Sequence, residues 1–104
     1  MLVLGDMAEV GTEGPAMHAE VGTYARQQDI DALLTYGPAA RECARAFGEG
    51  SYSFDDISPL LDCLAGQTPA NILVKGSRST RMERVVQGYL QQLQAQAEGD
   101  DNVA

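Results

Sequence analysis

The protein is a chain of 104 residues, which is the usual length of one globular domain. Hydrophobic residues make up 44% and charged residues 21% of the chain, values typical of folded proteins, so wholesale disorder is not expected. The formal net charge of −8 disfavours binding to nucleic acid or to anionic membranes. No apolar run approaches the ~20 residues that a membrane span needs, and no secretory leader is recognisable at the start of the chain.

Four apolar runs predict β-strands. They cover residues 2–4, 32–36, 52–54 and 72–74. The first, second and fourth are apolar throughout, which is typical of strands buried on both faces of a parallel sheet. The expected strand contribution to the core is Leu2, Leu4, Leu33, Leu34, Ile72 and Val74.

A helical pattern of apolar residues follows each predicted strand. The first three helices are expected to start near Pro15, after Pro38 and after Asp55–Asp56. The fourth is expected to start at Thr80 and Glu83, which have the T-x-x-E spacing of a capping box. Four alternations of strand and helix predict a three-layer α/β fold with a mainly parallel sheet and right-handed crossovers.

The chain divides into one domain and a tail. Residues 1–96 carry the strand and helix patterns, whereas residues 97–104 are polar, acidic and without pattern. We expect that tail to be disordered. Two cysteines are too few for a disulfide scaffold, and they lack metal-ligand spacing. Cys43 and Cys63 are therefore expected to be free structural thiols in a reducing compartment.

A basic loop follows the fourth predicted strand. Lys75 is followed by Gly76, which permits close backbone approach, and then by Ser77 and Arg78. Cations and hydroxyls at a helix start can hold a carboxylate or phosphate. The alternative is that Lys75 and Arg78 pair with acidic residues such as Asp6, while the hydroxyls only cap the helix.

An acidic loop follows the first predicted strand. Asp6 and Glu9 could bind a substrate ammonium group or pair with Lys75, although Asp and Gly also favour ordinary turns. The one histidine, His18, is expected to face solvent or to be satisfied by a structural hydrogen bond.

The motifs of several enzyme classes are absent. The sequence has no G-x-x-x-x-G-K-[ST] phosphate loop, no Ser/His/Asp order, no zinc spacing and no G-x-G-x-x-G after the first strand. The residues alone therefore indicate substrate binding, with no predicted catalytic residue and no predicted metal ligand.

Three segments carry a family resemblance. Residues 3–11 read V-L-G-D-M-A-E-V-G, residues 18–22 read H-A-E-V-G, and residues 72–79 read I-L-V-K-G-S-R-S, followed by Met-Glu at 82–83 and Val-Val at 85–86. In order and spacing these segments resemble the Mur ligases of bacterial peptidoglycan synthesis, specifically those that add D-alanyl-D-alanine. The resemblance spans residues 2–90.

The resemblance implies a Rossmann-like C-terminal domain that closes over the active site of an ATP-dependent amide ligase. Such a cytoplasmic ligase uses ATP and Mg2+ to phosphorylate the carboxylate of UDP-N-acetylmuramoyl-tripeptide, and the amine of D-alanyl-D-alanine then attacks the acyl phosphate. The family's central ATP-binding domain and a strand–helix unit upstream of Met1 are missing here. We therefore expect a truncated fragment that is inactive alone, holds no cofactor and self-associates through its uncovered sheet.

The resemblance also implies roles for the two loops. In related ligases the loop corresponding to residues 75–83 lines the pocket for the incoming amino acid. This places Lys75, Gly76, Ser77 and Arg78 near D-alanyl-D-alanine, with Arg78 the best candidate for its carboxylate. It makes Asp6 and Glu9 candidates for its ammonium group or for orienting Lys75.

Two alternatives remain at the level of sequence. A receiver-like signalling module would explain Asp6, Asp55 and Lys75 as a phosphoacceptor pocket, but a fifth βα unit is missing and the turn at residues 76–78 is unlike that family. A neighbouring Mur ligase with another incoming amino acid is disfavoured by the V-K-G-S-R run at residues 74–78.

Overall fold

The computed structural model describes residues 1–6, 14–67, 71–76 and 80–103. Strands and helices alternate along these residues, and the predicted α/β pattern is confirmed. The elements are β1 (Leu2–Gly5), α1 (Gly14–Gln27), β2 (Leu33–Tyr36), α2 (Arg41–Phe47), β3 (Ser51–Phe54), α3 (Ile57–Ala65), β4 (Leu73–Lys75) and α4 (Glu83–Val103).

The four strands form one parallel sheet in the order β3-β2-β1-β4. The register places Leu2 of β1 opposite Leu33 on one side and opposite Leu73 on the other. β1 and β2 are the central strands, and burial on both faces explains why their sequences are apolar throughout. The predicted mainly parallel sheet is confirmed.

Helices cover both faces of the sheet and build two cores. Alternate side chains of β1 and β2 point to opposite faces, because the side-chain period of a strand is two. One core joins Leu2, Leu4 and Leu33 to Ala25 of α1 and to Cys43 and Phe47 of α2. The other core joins Val3 and Leu34 to Leu60 and Leu64 of α3 and to Met82 and Val85. The chain therefore has the three layers that its sequence predicts.

The predicted core is buried except on β4. Leu2, Leu4, Leu33 and Leu34 are buried, whereas Ile72 and Val74 are only partly buried. β4 is a three-residue strand at the edge of the sheet, so one of its sides has no neighbouring strand among the described residues.

An exposed apolar patch lies beside this edge. Val86, Leu90 and Leu93 of α4 are 43–57% exposed. Together with Ile72 and Val74 beside them they line an apolar groove of about 380 Å³. We call these five residues the β4–α4 patch. No helix within the described ranges is long and apolar enough to cross a bilayer.

The last helix extends beyond the predicted domain boundary. α4 runs to Val103, so its backbone continues through residues 97–103, which the sequence analysis assigns to a tail. The domain limit at residue 96 and the disorder of residues 97–104 stay predictions.

Candidate functional site

The sheet has a topological switch point between β1 and β4. The helix after β1 packs on one face of the sheet, and the helix after β4 packs on the other. In open α/β sheets, ligands bind outside the carboxyl ends of the strands at such a point. The pairing of Leu4 with Lys75 brings the two chemically rich loops of the sequence to this one place.

Asp6 leaves the end of β1 and holds the start of α2. Its Oδ1 accepts a hydrogen bond from the backbone N–H of Ala40 at 2.6 Å, and its Oδ2 accepts one from Ala39 at 3.3 Å. Gly37 has φ +107°, and a Cβ there would lie 2.5 Å from the Asp6 carboxylate. The glycine thus leaves the space that the carboxylate fills, and Asp6 ties β1 to α2.

Neither sequence interpretation of Asp6 includes this role. Its expected contact with a substrate ammonium group or with Lys75 stays a prediction. No local sequence signal marks this role. An N-cap side chain would serve the N–H groups of the second and third residues of α2, whereas Asp6 serves those of Ala39 and Ala40, which precede the helix.

Removal of the Asp6 carboxylate is expected to destabilise the domain. Asp6→Ala leaves the N–H groups of Ala39 and Ala40 without their acceptors, which costs about 1–3 kcal/mol in free energy of unfolding. Urea denaturation measures this loss, and Asp62→Ala on the exposed side of α3 is the control, with a change within about 0.5 kcal/mol. Equal midpoints for Asp6→Ala and the control would show that the Asp6 contacts carry no stability.

Two glycines let the turn at Thr80–Met82 close over the carboxyl ends of β1 and β4. A Cβ on Gly5 would lie 2.7 Å from Sδ of Met82, and a Cβ on Gly76 would lie 2.6 Å from Cγ of Met82 and 2.8 Å from Oγ1 of Thr80. A Gly76 Cβ would also lie 3.3 Å from Cα of Gly5. Thr80 and Met82 therefore cover the ends of β1 and β4, and Gly76 serves close packing.

The remaining predicted site residues are only partly within the described chain. Lys75 ends β4 and is exposed at the switch point, as expected for a ligand-binding cation. Glu9, Ser77 and Arg78 lie outside the described residues, so their placement and roles stay predictions.

Arg84 lies beside the candidate site, although the sequence analysis does not single it out. Its guanidinium donates to the carbonyl oxygens of Thr80 and Arg81 at 2.8 and 3.1 Å. It also lies 5.7 Å from the ring centroid of Tyr36, with Nη2 3.4 Å from the Tyr36 hydroxyl. These contacts join the start of α4 to the end of β2.

The histidine and the cysteines are structural. His18 is buried, and its Nδ1 lies 2.6 Å from the carbonyl oxygen of Gly14, so it is the satisfied histidine of the two expected alternatives. Cys43 and Cys63 are free thiols, as predicted. Burial raises the pKa of Cys43 to about 11 and also raises the pKa of Cys63, the latter opposed by a hydrogen bond with Gln67. Both thiols are therefore protonated at neutral pH and are weak nucleophiles.

The described residues do not fit a magnesium–nucleotide site. Among residues 1–6, 14–67, 71–76 and 80–103, no three His, Cys, Asp or Glu side chains are placed to hold a metal ion. The sequence also lacks a phosphate loop. No chemical step through ATP or Mg2+ is therefore assigned to this chain.

Comparison with known proteins gives consistent matches, although no protein-family model matches the chain. The chain is 43% identical over 89 residues to UDP-N-acetylmuramoyl-tripeptide–D-alanyl-D-alanine ligase of Escherichia coli strain K12, covering 83% of this chain and 20% of that enzyme. The ligase of the same name from Buchnera aphidicola is 33% identical over 95 residues, covering 88% and 21%.

Two solved structures share the fold. A MurF ligase of Thermotoga maritima in complex with ADP matches with a TM-score of 0.77 at 24% identity, covering 91% of this chain and 22% of that one. MurF of Acinetobacter baumannii matches with a TM-score of 0.74 at 26% identity, covering 86% and 22%.

The parallel sheet and its switch point define the chain as a Rossmann-like α/β segment, and its relatives belong to the Mur ligase family. Within that family its homologues are the MurF enzymes, named UDP-N-acetylmuramoyl-tripeptide–D-alanyl-D-alanine ligase. The resemblance found in the sequence is thus confirmed. The chain spans about a fifth of the length of the curated relatives it matches.

Proposed function

We propose that this chain is the C-terminal, substrate-closing domain of a bacterial cytoplasmic ligase that adds D-alanyl-D-alanine to UDP-N-acetylmuramoyl-tripeptide. The observation that carries the proposal is the 43% identity to a ligase of that name across most of the chain. The place of Lys75 and Gly76 at the switch point of the sheet supports it, because ligands of such folds bind there.

In this proposal the chain holds and orients the incoming dipeptide. Lys75 and Arg78 face its carboxylate, with Arg78 able to bind in a bidentate manner, while Gly76 and Ser77 let the backbone approach. Glu9 is the acidic partner for the ammonium group. Asp6 acts indirectly by holding the start of α2, because its carboxylate already accepts two backbone hydrogen bonds there. ATP and Mg2+ supply phosphoryl transfer to the tripeptide carboxylate when bound elsewhere in the ligase.

A chimeric enzyme tests this function. The matching fifth of the Escherichia coli ligase is replaced by this chain, and ATP-dependent amide formation is measured with both substrates. We expect the chimera to release phosphate and to form the product. A folded chimera that binds ATP but forms no amide, while the parent enzyme is active, would contradict the proposal.

Within that chimera, Arg78→Ala is expected to impair use of D-alanyl-D-alanine selectively. Loss of a charged hydrogen bond raises the KM for the dipeptide roughly tenfold or more, whereas the KM for ATP stays within about twofold. Arg45→Ala is the matched control, because Arg45 is exposed and pairs only with Glu42 among the described residues. Unchanged KM values for both substrates would mean that Arg78 is a surface cation.

We further propose that the isolated chain self-associates, with the β4–α4 patch of one copy packing against the same patch of a second copy. An edge strand with one open side among the described residues, next to exposed apolar side chains, favours such pairing despite the charge of −8. Light scattering is expected to give a mass above that of one chain at high concentration, and Leu90→Lys is expected to lower it. Tyr24→Lys, on the exposed part of α1, is the control. A monomer mass up to millimolar concentration would refute the proposal.

A further inference from the structure

We propose that Arg84 is a positioning residue that clamps the turn at Thr80–Met82 onto the ends of β1 and β4 and so fixes Lys75 and Gly76. The inference rests on the proposed function, because it assigns the clamped loop to the dipeptide. It concerns a residue that neither loop motif of the sequence contains.

The first half of the clamp is local. Nη2 of Arg84 donates to the carbonyl oxygen of Thr80 at 2.8 Å, and Nε donates to that of Arg81 at 3.1 Å. The backbone N–H of Arg84 also donates to the Arg81 oxygen at 3.1 Å. One side chain thus engages two successive carbonyl groups and holds the shape of the turn.

The second half of the clamp reaches across the sheet. The Arg84 guanidinium stacks over the ring of Tyr36, the last residue of β2. β1 lies between β2 and β4, so this contact spans the strand that carries Gly5. The turn is therefore fastened to the centre of the sheet as well as to α4, and a cation over an aromatic face is an attractive pair.

The turn needs such a clamp because its backbone is strained. Arg81 has φ +52°, a left-handed conformation that non-glycine residues seldom adopt and that persists only when surrounding contacts enforce it. The same turn carries Thr80 and Met82, whose side chains fill the space over Gly5 and Gly76. Relaxation of Arg81 would move both side chains and release the end of β4.

The position of Arg84 in its helix also indicates a specific role. It is the second residue of α4, where the helix dipole disfavours a positive charge. An arginine at a helix start is therefore not explained by helix stability, whereas the two carbonyl groups and the Tyr36 ring account for it.

The clamp is tested first in this chain by amide hydrogen exchange. Arg84→Met keeps an unbranched side chain and removes the hydrogen-bond donors. Arg84→Lys keeps the positive charge but loses the planar, forked donors of the guanidinium. The reporter is the Val85 N–H, which donates to the Met82 oxygen at 2.9 Å, and the reference amides are those of Leu33 and Leu34 in β2. We expect exchange of Val85 to accelerate roughly tenfold in Arg84→Met, with the reference amides within about twofold.

The second measurement uses the chimeric ligase. Arg84→Met is expected to raise the KM for D-alanyl-D-alanine severalfold without a matching change in the KM for ATP. Arg84→Lys is expected to restore the dipeptide KM in part. Arg45→Met is the surface control. Unchanged Val85 exchange, or equal acceleration at every amide, would overturn the clamp. Accelerated exchange with an unchanged dipeptide KM would overturn its positioning role. An inactive parent chimera would instead count against the proposed function, and the exchange result would still decide whether the clamp exists.

Discussion

ATP hydrolysis by this chain alone is expected to stay at the background of a protein-free sample, with or without both peptidoglycan precursors. Phosphoryl transfer needs the nucleotide, its metal ion and the acceptor in one closed site. The sequence has no phosphate loop, and the described residues hold no group of acidic, His or Cys side chains suited to a metal ion. Magnesium-dependent phosphate release measures the outcome.

The chimeric ligase under identical conditions is the positive control for that assay. The preparation of the isolated chain has to be free of the host's own ligase, because a trace of full-length enzyme would release phosphate. Release above background that follows this chain through purification and titrates with its concentration would contradict the prediction, and it would place a nucleotide site within these 104 residues.

The strands could be predicted from the sequence because burial on both faces leaves a strong signal. The run at residues 2–4 corresponds to β1 at Leu2–Gly5, and the run at 32–36 contains β2 at Leu33–Tyr36. The predicted and observed strand limits differ most clearly at β4, which includes Lys75 because that residue pairs with Leu4. Hydrophobicity marks which residues are buried, whereas hydrogen bonding to a neighbouring strand decides where a strand ends.

The order of the strands could not be obtained from the pattern of apolar runs. The placement of β4 beside β1 creates the switch point, and thereby brings Gly5 and Gly76 together across the 71 positions that separate them in the sequence. The sequence analysis considers a pair between Asp6 and Lys75, but it gives no strand order that would bring their loops together. The register that sets Leu4 against Lys75 is a result of packing that no local pattern encodes.

The sequence singles out two loops as the candidate site, but it does not indicate the long-range contacts around them. The sequence does not indicate that the Asp6 carboxylate accepts hydrogen bonds from the backbone of Ala39 and Ala40, more than thirty positions away. The sequence analysis does not single out Arg84, whose partner Tyr36 lies 48 positions away. Long-range hydrogen bonds depend on the folded geometry, so residue type and spacing did not reveal them.

Gly22→Ala is expected to destabilise the fold strongly, although alanine is the better helix former. In an exposed helix interior this change would stabilise by up to about 1 kcal/mol. In α1, however, a Cβ on buried Gly22 would lie 2.1 Å from the carbonyl oxygen of Cys43 and 2.9 Å from its carbonyl carbon. Both atoms belong to the backbone of α2, so no side-chain rotation relieves the clash and the two helices have to separate.

We therefore expect Gly22→Ala to lower the free energy of unfolding by roughly 2 kcal/mol or more, measured by urea denaturation. Gly66→Ala is the matched control, because a Cβ there has an ordinary contact of 3.6 Å with the Cys63 oxygen and the backbone φ is −82°. That variant is expected to stay within about 0.5 kcal/mol of the parent chain. If Gly22→Ala were as stable as Gly66→Ala, α1 and α2 would not pack through Gly22. The close helix approach beside the core of Ala25, Cys43 and Phe47 would then be contradicted.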